Sequence, residues 1–403
     1  MNVIKDRLNH LFPKMRAWRR TFHQYPELSF QEQKTARIVT AHLRQLELDV
    51  KTGVGGHGVT GLLRGKKAGL TVALRADMDA LPIQDQKTCA YRSTVPGVMH
   101  ACGHDGHMAM LMGVAALLAE FREHLSGNVL FIFQPAEELV PGGAKAMIED
   151  GVLEGVDQIY GVHLWTPLPV GVIGTRPGEI MAATDSFEIR IKGRGGHGGL
   201  PHEAVDAVQI AAHLVVNLQS IISRQLDPLD SGVLGVGTIH AGQAFNVVAE
   251  TCCLQGTVRA FREEVREHII SRLEGITKAT CQMYGAGHEL HYHRGYPALV
   301  NDEAAVLRIR EAAGKVVGTK NVWELKPLMA GEDFSYFLQK CPGAFCFVGA
   351  GDRENFVHPH HHPLFDFDEQ AMAIGAELLI RLALKKTLQP EPQTSSLFSE
   401  LSP

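Results

Sequence analysis

Cys102, His104 and His107 fall within six residues, in Met99-His100-Ala101-Cys102-Gly103-His104-Asp105-Gly106-His107-Met108. A thiol and imidazoles gathered by a glycine-containing turn suit the coordination sphere of a transition metal. The competing reading is an idle cysteine in a histidine-rich loop. The apolar run that follows (Met110, Leu111, Met112, Val114, Ala115, Leu117, Leu118) predicts a buried helix over 105–123. Asp105 suits its first turn, so the cluster falls at a helix start.

Further along, 128–134 reads as a buried strand running into Gln134-Pro135-Ala136-Glu137-Glu138. Adjacent carboxylates at a strand end suit hydrolysis, one holding metal while its neighbour takes a proton from water. Alone, such a pair is more often a solvated helix start. His163 lies in the apolar segment Ile159-Tyr160-Gly161-Val162-His163-Leu164-Trp165, where a lone histidine is usually a satisfied core residue. The tract Val357-His358-Pro359-His360-His361-His362-Pro363-Leu364-Phe365 precedes a helical segment, which sets it apart from an appended tag.

In this order the motifs resemble those of the two-metal aminoacylase and carboxypeptidase superfamily. They are most similar to its amidohydrolase subgroup, which holds N-acyl-amino-acid amidohydrolases, hippurate hydrolases and hydrolases of auxin–amino-acid conjugates. The resemblance rests on Arg75-Ala76-Asp77-Met78-Asp79-Ala80-Leu81-Pro82, His100-Ala101-Cys102-Gly103-His104-Asp105-Gly106-His107 and Gln134-Pro135-Ala136-Glu137-Glu138. It continues in Gly161-Val162-His163, Gly195-Gly196-His197-Gly198, Ala330-Gly331-Glu332-Asp333-Phe334 and His361-His362-Pro363-Leu364-Phe365. By position it implies two divalent ions, zinc first and then manganese, cobalt or nickel. The implied ligands are Cys102, His104, Glu138, His163 and His361, with Cys102 as the bridging thiolate and Glu137 as general base. Where the wider superfamily has His-x-Asp, this chain has Asp77-Met78-Asp79, and Asp77 and Asp79 are expected to orient the ligands. His361 is chosen by its distance from Pro363-Leu364-Phe365, and its neighbours His360 and His362 stay open as alternatives. His197 is the implied donor to the tetrahedral oxyanion. Asn246 and Arg259 are expected to contact polar groups of the substrate. For Arg259 a solvated strand-end arginine is an equal alternative, and Asn246 would otherwise be a turn residue.

These residues need a scaffold. With 403 residues the chain is long for one core, and two domains are expected. Strand and helix signals alternate: strands over 71–76, 128–134 and 158–162, helices over 105–123 and 142–150. That pattern predicts an α/β layer with a mixed, largely parallel sheet, its site at strand ends and helix starts. From about residue 183 the texture changes to β-α-β-β-α-β: strands over 185–192, 232–240, 247–259 and 289–294, helices over 204–224 and 262–284. This is a ferredoxin-like order. The expected organisation is a discontinuous catalytic domain (1–182 and 297–386), an inserted α+β satellite domain (183–296), and a disordered tail at 387–403. The satellite is a candidate surface for a homodimer or tetramer.

Composition narrows the function. Apolar residues at 45% and charged residues at 21% are those of a globular protein. A net charge of −5 gives no reason to expect nucleic acid or an anionic membrane. The first 20 residues read as an amphipathic helix, not as a signal peptide, and no apolar run is long enough to span a bilayer. Seven scattered cysteines fit a reducing cytoplasm better than a disulfide framework. The glycine-rich run around His197 lacks the following Lys-Ser/Thr of a phosphate-binding loop. The expected activity is metal-dependent hydrolysis of N-acyl amino acids. Carboxypeptidase or dipeptidase action on short peptides is the alternative. From other classes come an inactive metal- or ligand-binding relative, against which Glu137 and His197 argue, and a redox thiol protein, against which the lack of Cys-x-x-Cys argues.

Overall fold

The computed structural model describes residues 3–352, 354 and 356–387, so the tail expected at 387–403 lies, except for Thr387, outside the described residues. The chain divides into two units. One comprises residues up to Gly178, Val300–Lys326 and the chain from Asp333 onward; the other comprises Glu179–Leu299 and Pro327–Glu332.

The first unit is built on an eight-stranded sheet in the order Asp49–Val54, Gly58–Arg64, Ser126–Gln134, Lys67–Asp77, Gln158–Pro169, Gly343–Gly351, Ile173–Thr175, Val322–Glu324. Its centre is parallel: Lys67–Asp77 pairs in parallel with Ser126–Gln134 and Gln158–Pro169, and the latter with Gly343–Gly351. Antiparallel pairs flank this centre, so the sheet is mixed and largely parallel. Parallel neighbours need a crossover, and helix His104–Glu120 supplies the one between Lys67–Asp77 and Ser126–Gln134.

That helix is buried almost all round, from His104 through Leu118, as expected of one enclosed between a sheet and other helices. It packs against Val3–Gln24 and Gln370–Thr387. Gly103, immediately before it, has φ +97°, a left-handed conformation that costs an L residue a strained backbone. The expected strand at 158–162 extends through Pro169, so His163 sits inside a strand paired on both sides of the sheet.

The second unit has a four-stranded antiparallel sheet, Gly232–Ala241, Thr251–Ala260, Ala183–Lys192, Gly287–Arg294, with helices Ala207–Ser220 and Glu263–Met283 packed against it. Phe187, Ile189 and Ile191 alternate inward to meet Leu214, Leu218, Ile269 and Leu273. The first of these helices begins at Ala207, three residues past its expected start, capped by Asp206, which accepts from the Val208 and Gln209 amides. The strand expected over 247–259 is two pieces. Val247–Val248 pairs with Gly196–His197, and Thr251–Ala260 joins the main sheet. Among the described residues no helix is long and apolar enough to cross a membrane.

Candidate metal centre

In the first unit, the C-terminal ends of neighbouring parallel strands carry the chemistry. Asp77 ends Lys67–Asp77 in register with Gln134, three residues before Glu137. Helix His104–Glu120 begins with His104 and carries His107 one turn on. Ligand-type atoms of Cys102, Glu138 and His361 lie within 4.8 Å of one another, as do those of His104, Glu137 and Glu138. His104, His107 and His163 form a third such group, and Cys102, His163 and His360 a fourth. The five expected ligands are thus brought together with Glu137, from segments up to 259 residues apart in sequence.

Ring hydrogen bonds sort the histidines. His104 Nδ1 donates to the Asp79 carbonyl at 2.9 Å, leaving Nε2 buried with no hydrogen-bond partner, 3.7–3.9 Å from oxygens of Asp77, Glu138 and Glu137. His163 Nδ1 donates to the Leu164 carbonyl at 2.8 Å, so its Nε2 lone pair faces Cys102 Sγ at 3.5 Å. His107 differs. Its Nδ1 donates to Asp77 Oδ1 at 2.6 Å and its Nε2 accepts from the Leu164 amide at 2.9 Å. Both nitrogens are used, which makes His107 a brace, not a ligand.

The three consecutive histidines also separate. His361 Nε2 stands 3.4 Å from Glu138 Oε1, and its amide donates to the Ala101 carbonyl at 2.8 Å, in a left-handed turn with φ +66°. His360 stacks on Trp165 with centroids 4.5 Å apart; its Nε2 accepts from the Thr166 amide at 3.3 Å and its Nδ1 lies 3.8 Å from Cys102 Sγ. His362 stacks on His358 and accepts from the Leu364 amide.

Asp79 accepts from the amides of Glu137 at 3.0 Å and Glu138 at 2.9 Å. With its carbonyl on His104, it holds two arms of the cluster. Asp333 accepts from Arg75 Nη2, from Gln134 Nε2 and from the Ala144 amide, all buried, and so fixes the start of the Glu137 turn. In the sequence Arg75, Gln134 and Asp333 stand out only as members of motifs, His107 stands among the ligand types, and Glu32 carries no signal. The partners that give Gln134, Asp333, His107 and Glu32 these roles lie 30 to 258 residues away, too far for spacing to reveal them.

The electrostatics favour cations. Burial opposes charge on His104, but Asp77 and Asp79 outweigh it and hold the imidazole up to about 10. Burial, then Glu138, Glu137 and Asp77, push the Cys102 thiol well above its usual value. Burial pushes His163 well below the usual imidazole range, reinforced by His107 and His360, so it presents a neutral donor. A thiol, neutral imidazoles and paired carboxylates, with an orphaned His104 Nε2 among acids, form a donor set that fits borderline divalent ions.

The remaining expected residues belong to the second unit. His197 is exposed in the short strand Gly196–His197, opposite Val247, and its Nδ1 accepts from the Gly199 amide at 3.0 Å. The Asn246 carbonyl accepts from the Gly198 amide at 2.8 Å, at the end of the antiparallel ladder between Gly196–His197 and Val247–Val248. Arg259 donates to Thr257 Oγ1 and the Val258 and Asp185 carbonyls of its own sheet.

The model of peptidase family M20/M25/M40 matches residues 73–385. An N-acyl-L-amino acid amidohydrolase of Geobacillus stearothermophilus is 47% identical over 306 residues, covering 74% of this chain and 82% of that protein. Thermostable carboxypeptidase 1 of Saccharolobus solfataricus is 41% identical, covering 91% and 94%. Among solved structures, Bacillus subtilis YXEP, described as a dinuclear metal binding peptidase from the M20 family, superposes with a TM-score of 0.82 at 34% identity, covering 94% of this chain and 98% of that one. The chain belongs to peptidase family M20/M25/M40, as one of its amidohydrolases.

Proposed function

We propose that the protein hydrolyses the amide bond of N-acyl amino acids at a centre of two divalent ions. Cys102, His104, Glu138, His163 and His361 would hold the ions; zinc is the first choice, then manganese, cobalt or nickel. When bound, the ions supply Lewis acidity, polarising the carbonyl and lowering the pKa of a water toward ~7. Glu137 accepts the proton of the attacking water as it adds to the carbonyl carbon, then delivers it to the amine nitrogen as the C–N bond breaks. The products are a carboxylate and a free amino acid. His197 donates to the developing oxyanion, and Asn246 and Arg259 contact polar groups of the substrate. Asp77 and Asp79 orient the ligands.

The observation that carries this reading is the turn at Glu137-Glu138. Two adjacent carboxylates are presented from amides tied to Asp79, beside a thiol–imidazole cluster. An inactive metal-binding relative has no use for the second carboxylate. The similarity to a carboxypeptidase supports the alternative, cleavage of short peptides, by the same machinery. The seven cysteines, all free, support a cytoplasmic setting, and the second unit is the proposed surface for a homodimer or tetramer. Neither nucleic acid nor membrane is a proposed partner. Turnover across N-acetyl, N-benzoyl and indole-acetyl amino acids and dipeptides separates the readings. Glu137→Gln should lower turnover by about 10²–10⁴-fold with metal content unchanged, whereas Glu138→Gln should lower metal content. Reversed phenotypes would exchange the roles of base and ligand.

A further inference from the structure

Ala136, directly before Glu137, has φ +52°. A non-glycine residue in the left-handed region is strained and persists only where its surroundings enforce it. The amides of Ala136, Glu137 and Glu138 all point at buried carboxylates: Ala136 N donates to Glu32 Oε1 at 2.8 Å, and the next two donate to Asp79. Glu32 is fully buried and belongs to the loop 25–32, between helices Val3–Gln24 and Gln33–Gln45. The loop is stitched beside Asp79: the Ala80 amide donates to the Glu27 carbonyl at 2.8 Å and Ser29 Oγ donates to Asp79 Oδ2 at 2.6 Å. Glu32 Oε1 also accepts from the Phe30 amide at 3.1 Å, whereas its Oε2 makes no hydrogen bond.

We infer that Glu32 is a positioning residue for the reaction: its Oε1 holds Ala136 in the left-handed conformation that aims Glu137 and Glu138 into the cluster. The inference rests on the roles proposed above for those two glutamates. Leaving the buried Ala136 amide without an acceptor is itself costly, which offsets the strain at Ala136. Burial, and then the charge of Asp79, push Glu32 up to about 7. Oε1 accepts in either protonation state, so an amide in place of the carboxyl keeps the function. Without Glu32, the turn relaxes and the carboxylates swing off target. A misplacement of about 1 Å can cost about 10²-fold.

The test compares Glu32→Gln, Glu32→Ala and Glu32→Ala/Ala136→Gly, because glycine adopts φ +52° without strain. Turnover on an amide hydrolysed by the wild type and hydrogen exchange of the 136–138 amides are both measured. Glu32→Ala should lower kcat by about 10–100-fold with KM unchanged, and speed exchange at Ala136 and Glu137. Glu32→Gln keeps an oxygen that accepts from the Ala136 amide and should stay within about threefold of wild type in kcat and protection. Ala136→Gly should restore most of the kcat lost in Glu32→Ala. Unchanged exchange in Glu32→Ala, or a double variant as slow as the single one, overturns the inference. If Glu32→Ala does not fold, Ala136→Val reads the same geometry with Glu32 intact: a β-branched residue at positive φ should lower kcat, and an unchanged kcat overturns the inference. If no amide is hydrolysed by the wild type, the proposed activity fails while the exchange measurement still decides the role of Glu32.

Discussion

Arg19 is fully buried, an unusual fate for an arginine on an amphipathic N-terminal helix. Its Nε donates to Asp105 at 2.8 Å and its Nη2 to Asp366 at 2.6 Å, and Nη1 lies 3.3 Å from Glu369. The guanidinium also lies over the rings of Tyr91, at 4.8 Å, and Phe367, at 4.4 Å. Asp105 immediately follows the expected ligand His104, so Arg19 bolts the first helix to the start of helix His104–Glu120. Arg19→Met keeps the aliphatic stem and removes the charge, leaving buried Asp105 with His23, at 2.7 Å, as its remaining side-chain hydrogen-bond partner among the described residues. Breaking one side of a buried ion cluster costs about 3–5 kcal/mol. At about 2 °C per kcal/mol for a unit of this size, melting should fall by about 6–10 °C. Calorimetry of the metal-loaded protein measures this, following the transition of the first unit. Adding Asp105→Asn removes a stranded charge, so the double variant should recover about 2 °C or more relative to the summed single losses. Melting of Arg19→Met within about 2 °C of wild type, or full additivity in the pair, would refute the reasoning.

Cys102→Ala should lose at least one of two ions, measured by metal analysis of the purified protein, and most turnover; two retained ions would remove Cys102 from the ligand set. His197→Ala should lower turnover by about 10²–10³-fold with metal content intact, and unimpaired turnover would dismiss it as an oxyanion donor. The pH dependence follows from Asp105. Burial opposes its anion, but Arg19 and His23 outweigh this and hold the carboxyl well below the usual range. A depressed pKa stabilises the fold above the unfolded value of about 3.9 and progressively less as the pH falls below it. The melting gap between wild type and Asp105→Asn should therefore shrink below about pH 4; a constant gap from pH 6 to 3 would show that Asp105 is not the linked group.

What could be read from the sequence was whatever short-range pattern encodes. The buried helix after Gly103, the strand leading to Glu137 and the β-α-β-β-α-β order of 183–296 follow from periodicity and glycine placement, which are local properties of backbone and side chain. The candidate ligands stood out through the family resemblance of their ordered motifs, and the structure brings those side chains together. Tertiary structure alone decided how those residues are held. His107 has the spacing of a ligand, yet Asp77 and the Leu164 amide occupy both its nitrogens. Arg19 looks like a solvated helix charge, yet its acids arrive from 86 to 350 residues away. Glu32 looks like the residue before a helix, yet it grips the amide of Ala136, 104 residues on. Sequence pattern determines which segments become strands and helices because those depend on neighbours within a few residues; which charge is buried, which imidazole nitrogen is free and which strained turn is supported depend on groups that meet only when the chain closes.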